Sequence, residues 1–121
     1  MEKKRIILGL VEPVVIFGKR NLEEKILARI DTGATASSID FKIAQKLHLG
    51  PVLRSKTVKS ASGIKRRPMI KAKIKLDGEI LVAEFTLAER SHMTYPALVG
   101  QNILKLGHFL IDPQKEIPQK R

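Results

Sequence analysis

The stretch PMIKAKIKLDGEILVAEFTL, residues 68–87, constrains the fold more than any other part of the chain. Apolar Ile70, Ala72, Ile74 and Leu76 alternate with Lys71, Lys73 and Lys75, and a second period-two run, EILVAEFTL, follows Asp77-Gly78. Alternation at period two sends successive side chains to opposite faces of a strand. An Asp-Gly pair between two such runs suits the primed turn of a tight hairpin. A third period-two run, KTVKSA, comes before both and is separated from PMIKAKIKL by Ser62-Gly63. The middle of the chain is therefore expected to be antiparallel sheet.

The flanks read the same way. RIILGLVEPVVIFG gives two short β-type runs separated by Gly9 and by Glu12-Pro13. In LEEKILARID, Ile26, Ala28 and Ile30 alternate with Lys25 and Arg29, which favours a strand although Glu, Lys, Leu and Ala are good helix formers. SSIDFKIAQKLHLG reads as a helix with Asp40 as N-cap, Ile43, Ala44 and Leu47 on one face, and Gly50-Pro51 as its stop. Then follow a buried run ALVG, a short helix QNILKLG and a final strand HFLID, with a basic tail over about residues 114–121. The expectation is one domain, residues 1–121, of mostly antiparallel β structure with one or two short helices.

Composition narrows the function classes. With 43% hydrophobic and 29% charged residues the chain lies in the globular range, and with 4% aromatics its core must be built from Ile, Leu, Val and Ala. It has no cysteine, which excludes disulfide frameworks, thiol nucleophiles and Cys-based zinc sites. The opening MEKKRIILGLVEPVVIFGKR resembles neither a signal peptide nor a membrane span, so a cytoplasmic protein without a membrane partner is expected. The net charge of +11 attracts polyanions, although a basic surface also simply keeps a protein solvated. No aromatic residues interleave with the clusters KRR and QKR to stack on bases, which argues against nucleic acid.

The chemistry-bearing stretch is ARIDTGATASSID, residues 28–40. Asp31 could be an Asx turn or helix cap, with Gly33 at positive φ, and chemically silent. It could equally be a carboxylate held at a loop tip. One such carboxylate cannot run aspartic peptidase chemistry, which needs two close together sharing a proton. The chain has a single Asp-Thr-Gly, so a homodimer with two Asp31 residues facing across a two-fold axis would have to supply the pair.

The order ARIDTGATASSID, VKSASGIKRRP, YPALVGQNIL resembles the retropepsin-type aspartic peptidases. With LGLVEPVVI, RRP, FTLAERSHMTYPALVGQNIL and FLIDP, it is similar to the bacterial and archaeal branch labelled ATP-dependent zinc protease, associated with ATP-grasp ligases that modify ribosomal proteins. The resemblance implies a homodimeric closed β-barrel of the acid protease fold. It implies Asp31 as the catalytic carboxylate, Thr32 bracing the paired loops, and Gly33 and Ala34 as the rest of the active-site loop. Ser60, Ala61, Ser62 and Gly63 would form the flap tip, Leu98, Val99 and Gly100 the segment beneath the loop, and Asn102 the start of a short helix. Arg66, Arg67 and Arg90 are the candidates for holding an acidic substrate, since a guanidinium binds a carboxylate bidentately, and His92 is a further candidate substrate contact. The alternatives are a solvated basic face for the arginines and a turn residue for His92.

The branch label promises zinc, but His48, His92 and His108 lack the spacing of a ligand set, so no metal is expected. No phosphate-binding G-x-x-x-x-G-K-[ST] loop is present either, so no cofactor is expected, and any ATP dependence would come from a partner such as the ligase. The leading expectation is a homodimeric aspartic endopeptidase acting on peptides, including glutamate-rich tails. A non-catalytic dimeric module that binds acidic peptides is the alternative, and a nucleic-acid-binding β domain rests on charge alone.

Overall fold

The structure is a computed structural model and describes residues 4–60 and 63–116. Nine strands and two short helices follow one another among these residues. They are β1 (Ile6–Leu8), β2 (Val11–Phe17), β3 (Glu23–Ile30), β4 (Ser37–Asp40), α1 (Phe41–Lys46), β5 (Arg54–Ser60), β6 (Gly63–Leu76), β7 (Glu79–Ala88), β8 (Ala97–Val99), α2 (Gln101–Leu104) and β9 (Phe109–Ile111).

Six strands close a barrel in the order β2-β3-β8-β4-β7-β6, because β2 also pairs with β6 from Val14↔Leu76 to Phe17↔Lys73. The expected mainly β closed barrel with two short helices is the observed fold. The hairpin at its centre has the expected turn: Asp77 and Gly78 take φ of 46° and 83°, and Leu76 pairs with Glu79. Two consecutive positive φ values are the signature of a type I′ turn, whose twist matches that of the flanking strands. β6 outruns the barrel. Its first half pairs with β5 from Ser60↔Gly63 to Arg54↔Met69, making the hairpin in the flap position, whose tip residues Ala61 and Ser62 lie outside the described residues.

The core is aliphatic, as the composition required. Ile16, Ile39, Ile70, Ile74 and Leu76 point into the barrel, with Phe85 as its one large aromatic side chain and Ala44, Leu47 and Ile103 of the helical segments sealing it. Each fully buried Leu or Ile contributes roughly 1.5–3 kcal/mol.

Two local expectations are corrected. Residues 37–40 form strand β4, not the first turn of a helix, because β4 pairs with β7 on one side and β8 on the other. The helix begins at Phe41 with Asp40 at the expected N-cap position, but the Asp40 side chain makes no capping bond; its Oδ1 accepts from the Arg90 amide at 3.0 Å. Glu12-Pro13 does not break the second run. Both residues lie within β2, opposite Ala28 and Leu27. Pro13 sits just ahead of the stretch paired with β6, where a missing N–H is tolerated.

Glu12 is only 3% exposed. Its Oε2 accepts from the Gly9 amide at 2.6 Å and from Lys115 Nζ at 2.8 Å, and Lys115 Nζ also donates to Ile7 O at 2.8 Å. The start of the expected tail is thereby fastened to the β1–β2 turn. β1 and β9, the outermost strands of the sequence, form their own parallel two-stranded sheet. Among the described residues no helix is long and apolar enough to cross a membrane.

Candidate active site

Asp31 stands at the end of β3, where the barrel presents it. Its amide donates to Val99 O at 2.9 Å, extending the β3–β8 pairing by one residue. Chain reversal follows at once: the Ala34 amide donates to Asp31 O at 3.3 Å, and the Gly33 amide donates to Asp31 Oδ1 at 3.0 Å. The carboxylate is therefore aimed by its own loop. This is Asx-turn geometry, achieved without the positive φ expected of Gly33 in the silent reading, since the positive-φ glycines are Gly50, Gly63 and Gly78. Asp31 is half-buried, while Thr32 and Gly33 are exposed.

A second layer holds the loop. The amide of Gln101 donates to Ala34 O at 2.7 Å, its Nε2 to Thr32 O at 2.8 Å, and the Asn102 amide to Thr35 O at 3.3 Å. Behind them, the buried Ser37 hydroxyl donates to Asn102 Oδ1 at 2.6 Å and accepts from the Gly100 amide at 2.8 Å. Asn102 Nδ2 donates to Glu84 O at 2.9 Å, and Thr86 Oγ1 donates to Ser37 O at 3.2 Å. The loop is thus tied to β7, β8 and α2 by polar groups whose bonding capacity is spent on it. Gly100 is sterically required: a Cβ there would lie 2.3 Å from Ala36 O and 2.8 Å from Ala34 O.

Of the expected site residues, the structure brings together Asp31 to Ala34 with Val99, Gly100 and Asn102. Sequence reasoning placed Asn102 only at the start of a helix and missed Ser37, Gln101 and Thr86. The one usable signal was a buried-looking Ser in a run otherwise leading into apolar Ile39. Arg66 and Arg67 lie on β6 in the flap hairpin, Arg66 exposed and Arg67 half-buried, paired with Thr57 and Lys56. Arg90 is 8% exposed, and its Nε donates to Tyr95 O at 3.1 Å. Burial, and then the charge of Arg67, lower the guanidinium pKa, while Asp40 opposes the shift.

His92 is exposed, with Nε2 at 3.7 Å from Glu89 Oε2. Glu89 has its carboxyl pKa lowered, first by the Ser91 hydroxyl and amide that donate to it and then by His92 and Lys42. Ser60 and Gly63 close the described part of the flap, with Gly63 at φ 117°. Among the described residues no three His, Asp or Glu side chains come together in a way that could hold a metal ion.

The match to a family profile described as RimB-like, retropepsin-like aspartic endopeptidase RimB, covers residues 44–121. A search of curated proteins finds no match. Several solved structures share the fold. A Legionella pneumophila protein of unknown function, Lpg0085, is 21% identical with a TM-score of 0.65, over 94% of this chain and 98% of that one. The EIAV protease bound to the inhibitor HBY-793 is 18% identical with a TM-score of 0.62, over 85% of this chain and 88% of that one. The retroviral protease-like domain of Ddi1 from Leishmania major is 19% identical with a TM-score of 0.54, over 81% and 76% of the two chains.

Proposed function

The chain belongs to the family of RimB-like, retropepsin-like aspartic endopeptidases, and from this premise we propose that it hydrolyses peptide bonds as a homodimer with one Asp31 from each protomer. The observation that carries the reading is the aim of the Asp31 carboxylate, bonded to the Gly33 amide at 3.0 Å and backed by the Ser37–Asn102 network. Residues 44–121 of the family match lie after this loop, so the role of Asp31 rests on the loop itself.

In the proposed reaction the two carboxylates share one proton. The ionised one takes a proton from a water that attacks the scissile carbonyl, and the protonated one donates to the carbonyl oxygen. Collapse of the tetrahedral intermediate breaks the C–N bond as the amine leaves protonated. No covalent enzyme intermediate forms. Thr32, exposed beside Asp31, would brace the loop of the opposite protomer, and the β5–β6 hairpin would cover an extended substrate through its backbone groups. Exposed Arg66 and half-buried Arg67 on that hairpin, together with exposed His92, suit a substrate rich in carboxylates. Arg90 would act from behind, holding the Tyr95 turn. An acidic tail of the kind added by an ATP-grasp ligase fits this charge pattern.

For the dimer seam we propose β9. Its pairing with β1 uses His108 O and Asp112 N, so the main-chain groups of Phe109 and Ile111 turn to the opposite edge. A two-fold axis there makes the β9–β9′ pairing antiparallel, and we place its centre on Leu110, a non-hydrogen-bonded pair with Leu110 Cα atoms about 4.5 Å apart. The absence of native cysteine makes this directly testable. Leu110→Cys is expected to form a disulfide-linked dimer on mild oxidation and Ile7→Cys is not. Asp31→Asn is expected to abolish cleavage of a glutamate-rich peptide. A cross-linked, substrate-binding protein that never cleaves points instead to a binding module. A monomer at all working concentrations overturns the proposed dyad.

A further inference from the structure

At the far end of the barrel from Asp31 lies a groove that the peptidase reading does not use. It is lined by Phe17, Gly18, Asn21, Leu22, Glu23 and Lys73 and has a volume of about 370 Å³, within the range of pockets that accept one bulky group. Glu23 opens β3 and Asp31 follows its end, so the eight residue steps between them put the two sites about 25 Å apart.

The sheet face beside the groove is unlike an ordinary solvated surface. Across neighbouring strands the register reads Glu23, Phe17, Lys73, Val82 in one row and Lys25, Val15, Lys75, Ile80 in the next. Ile80 and Val82 are 58% and 54% exposed and Leu22 39% exposed, while Lys25, Lys71, Lys73 and Lys75 stand exposed among them. Lys73 Nζ sits 5.1 Å from the centre of the Phe17 ring, and both residues line the groove. The β2–β3 turn that forms one wall holds Arg20 and Asn21 at φ of 57° and 60°, a left-handed pair that costs an arginine strain.

We propose that this groove and its lysine-flanked face are a docking site for an acidic segment of a partner protein. The segment places one apolar or aromatic side chain between Phe17 and Leu22, while its carboxylates meet Lys73 and Lys75. Charge complementarity selects an acidic partner and disfavours a second copy of this chain, whose net charge is +11. The aliphatic component selects protein over nucleic acid. Covering Ile80 and Val82 with phosphate gains nothing, whereas a protein segment removes their apolar surface from water. A central apolar anchor ringed by charge is the usual anatomy of such a site.

The test is an amide NMR titration of the full chain with acetylated Glu-Glu-Phe-Glu-Glu and with its Glu-Glu-Ser-Glu-Glu counterpart. The expected result is that the Phe peptide shifts resonances of residues 17–23, 73–75 and 80–82 and binds at least about tenfold more tightly than the Ser peptide, with that preference lost in Leu22→Ser and overall binding weakened in Lys73→Glu/Lys75→Glu. Both variants lie away from Asp31 and are expected to keep wild-type melting behaviour and cleavage. The proposal is overturned if the two peptides bind alike or if the shifts cluster only around Asp31 and the flap. It is also overturned if a single-stranded RNA or phosphatidylglycerol vesicles engage the 17–23 and 73–82 resonances in preference to the Phe peptide, or if these residues shift with protein concentration alone, which marks self-association.

Discussion

The Ser37 hydroxyl donates to Asn102 Oδ1 at 2.6 Å, joining the strand that leaves the Asp31 loop to the helix that follows β8. The two residues stand 65 positions apart in the chain. Through this bond the loop carrying the carboxylate is held from behind by groups that never touch a substrate.

Asn102→Ala strips a partner from two groups at once, the Ser37 hydroxyl and Glu84 O. A buried polar group left unsatisfied costs about 1–3 kcal/mol. Thermal unfolding of the variant is expected roughly 5–10 °C below wild type, with kcat falling more than KM rises. Unchanged melting shows that the network carries no stability.

Gly100→Ala places a methyl 2.3 Å from Ala36 O, closer than any real contact, so the loop must move. A displacement of about 1 Å at a catalytic group is enough for a loss on the order of 100-fold in rate. Circular dichroism is expected to retain the β signature while peptide cleavage drops by about that factor. Wild-type cleavage by this variant removes the steric argument.

Lys115→Met leaves the Glu12 carboxylate, whose side chain is 4% exposed, with only the Gly9 amide. Breaking a buried pair from one side costs about 3–5 kcal/mol; because the Lys115 side chain is 31% exposed, solvent reduces this to about 2 kcal/mol. The urea midpoint is expected to fall accordingly. Adding Glu12→Gln to the variant is expected to recover part of the loss, since the uncompensated charge is then gone.

Glu89 titrates below the ordinary glutamate value of 4.5, chiefly because Ser91 donates to it. A carboxylate with a depressed folded pKa contributes stability that is present above its unfolded value and is lost as pH falls through the lower, folded one. Because this group is exposed, the effect is read best locally. A carbon-detected NMR titration is expected to give Glu89 a midpoint below 4.5, returning toward it in Ser91→Ala. An unshifted midpoint in wild type rules out the Ser91 contribution.

Periodicity revealed the barrel's long strands because side-chain alternation is a property of the chain itself. β6, β7 and β3 were legible from Lys71 to Lys75, from Glu79 to Leu87 and from Lys25 to Ile30, and the Asp77-Gly78 turn from its dipeptide. Residues 37–40 were not, since Ser37 to Asp40 acquire strand geometry only when β7 and β8 flank them. The site was legible in part: the Asp-Thr-Gly loop and the Gly100 segment stood out by motif. Ser37 and Gln101 did not, because nothing local tells a serine or glutamine that its partner lies more than 60 residues away.

What the sequence by itself determined is the long strands, the hairpin turn, the aliphatic core and the single carboxylate on a glycine loop, all consequences of local period, φ preference and residue chemistry. What only the tertiary structure decided is where the long-range polar bonds fall. Glu12 is buried against Lys115, Asp40 serves Arg90 instead of capping its helix, and β1 pairs with β9. The reason is that a polar group removed from water must find a partner wherever closure of the barrel brings one, and sequence spacing carries no record of that distance.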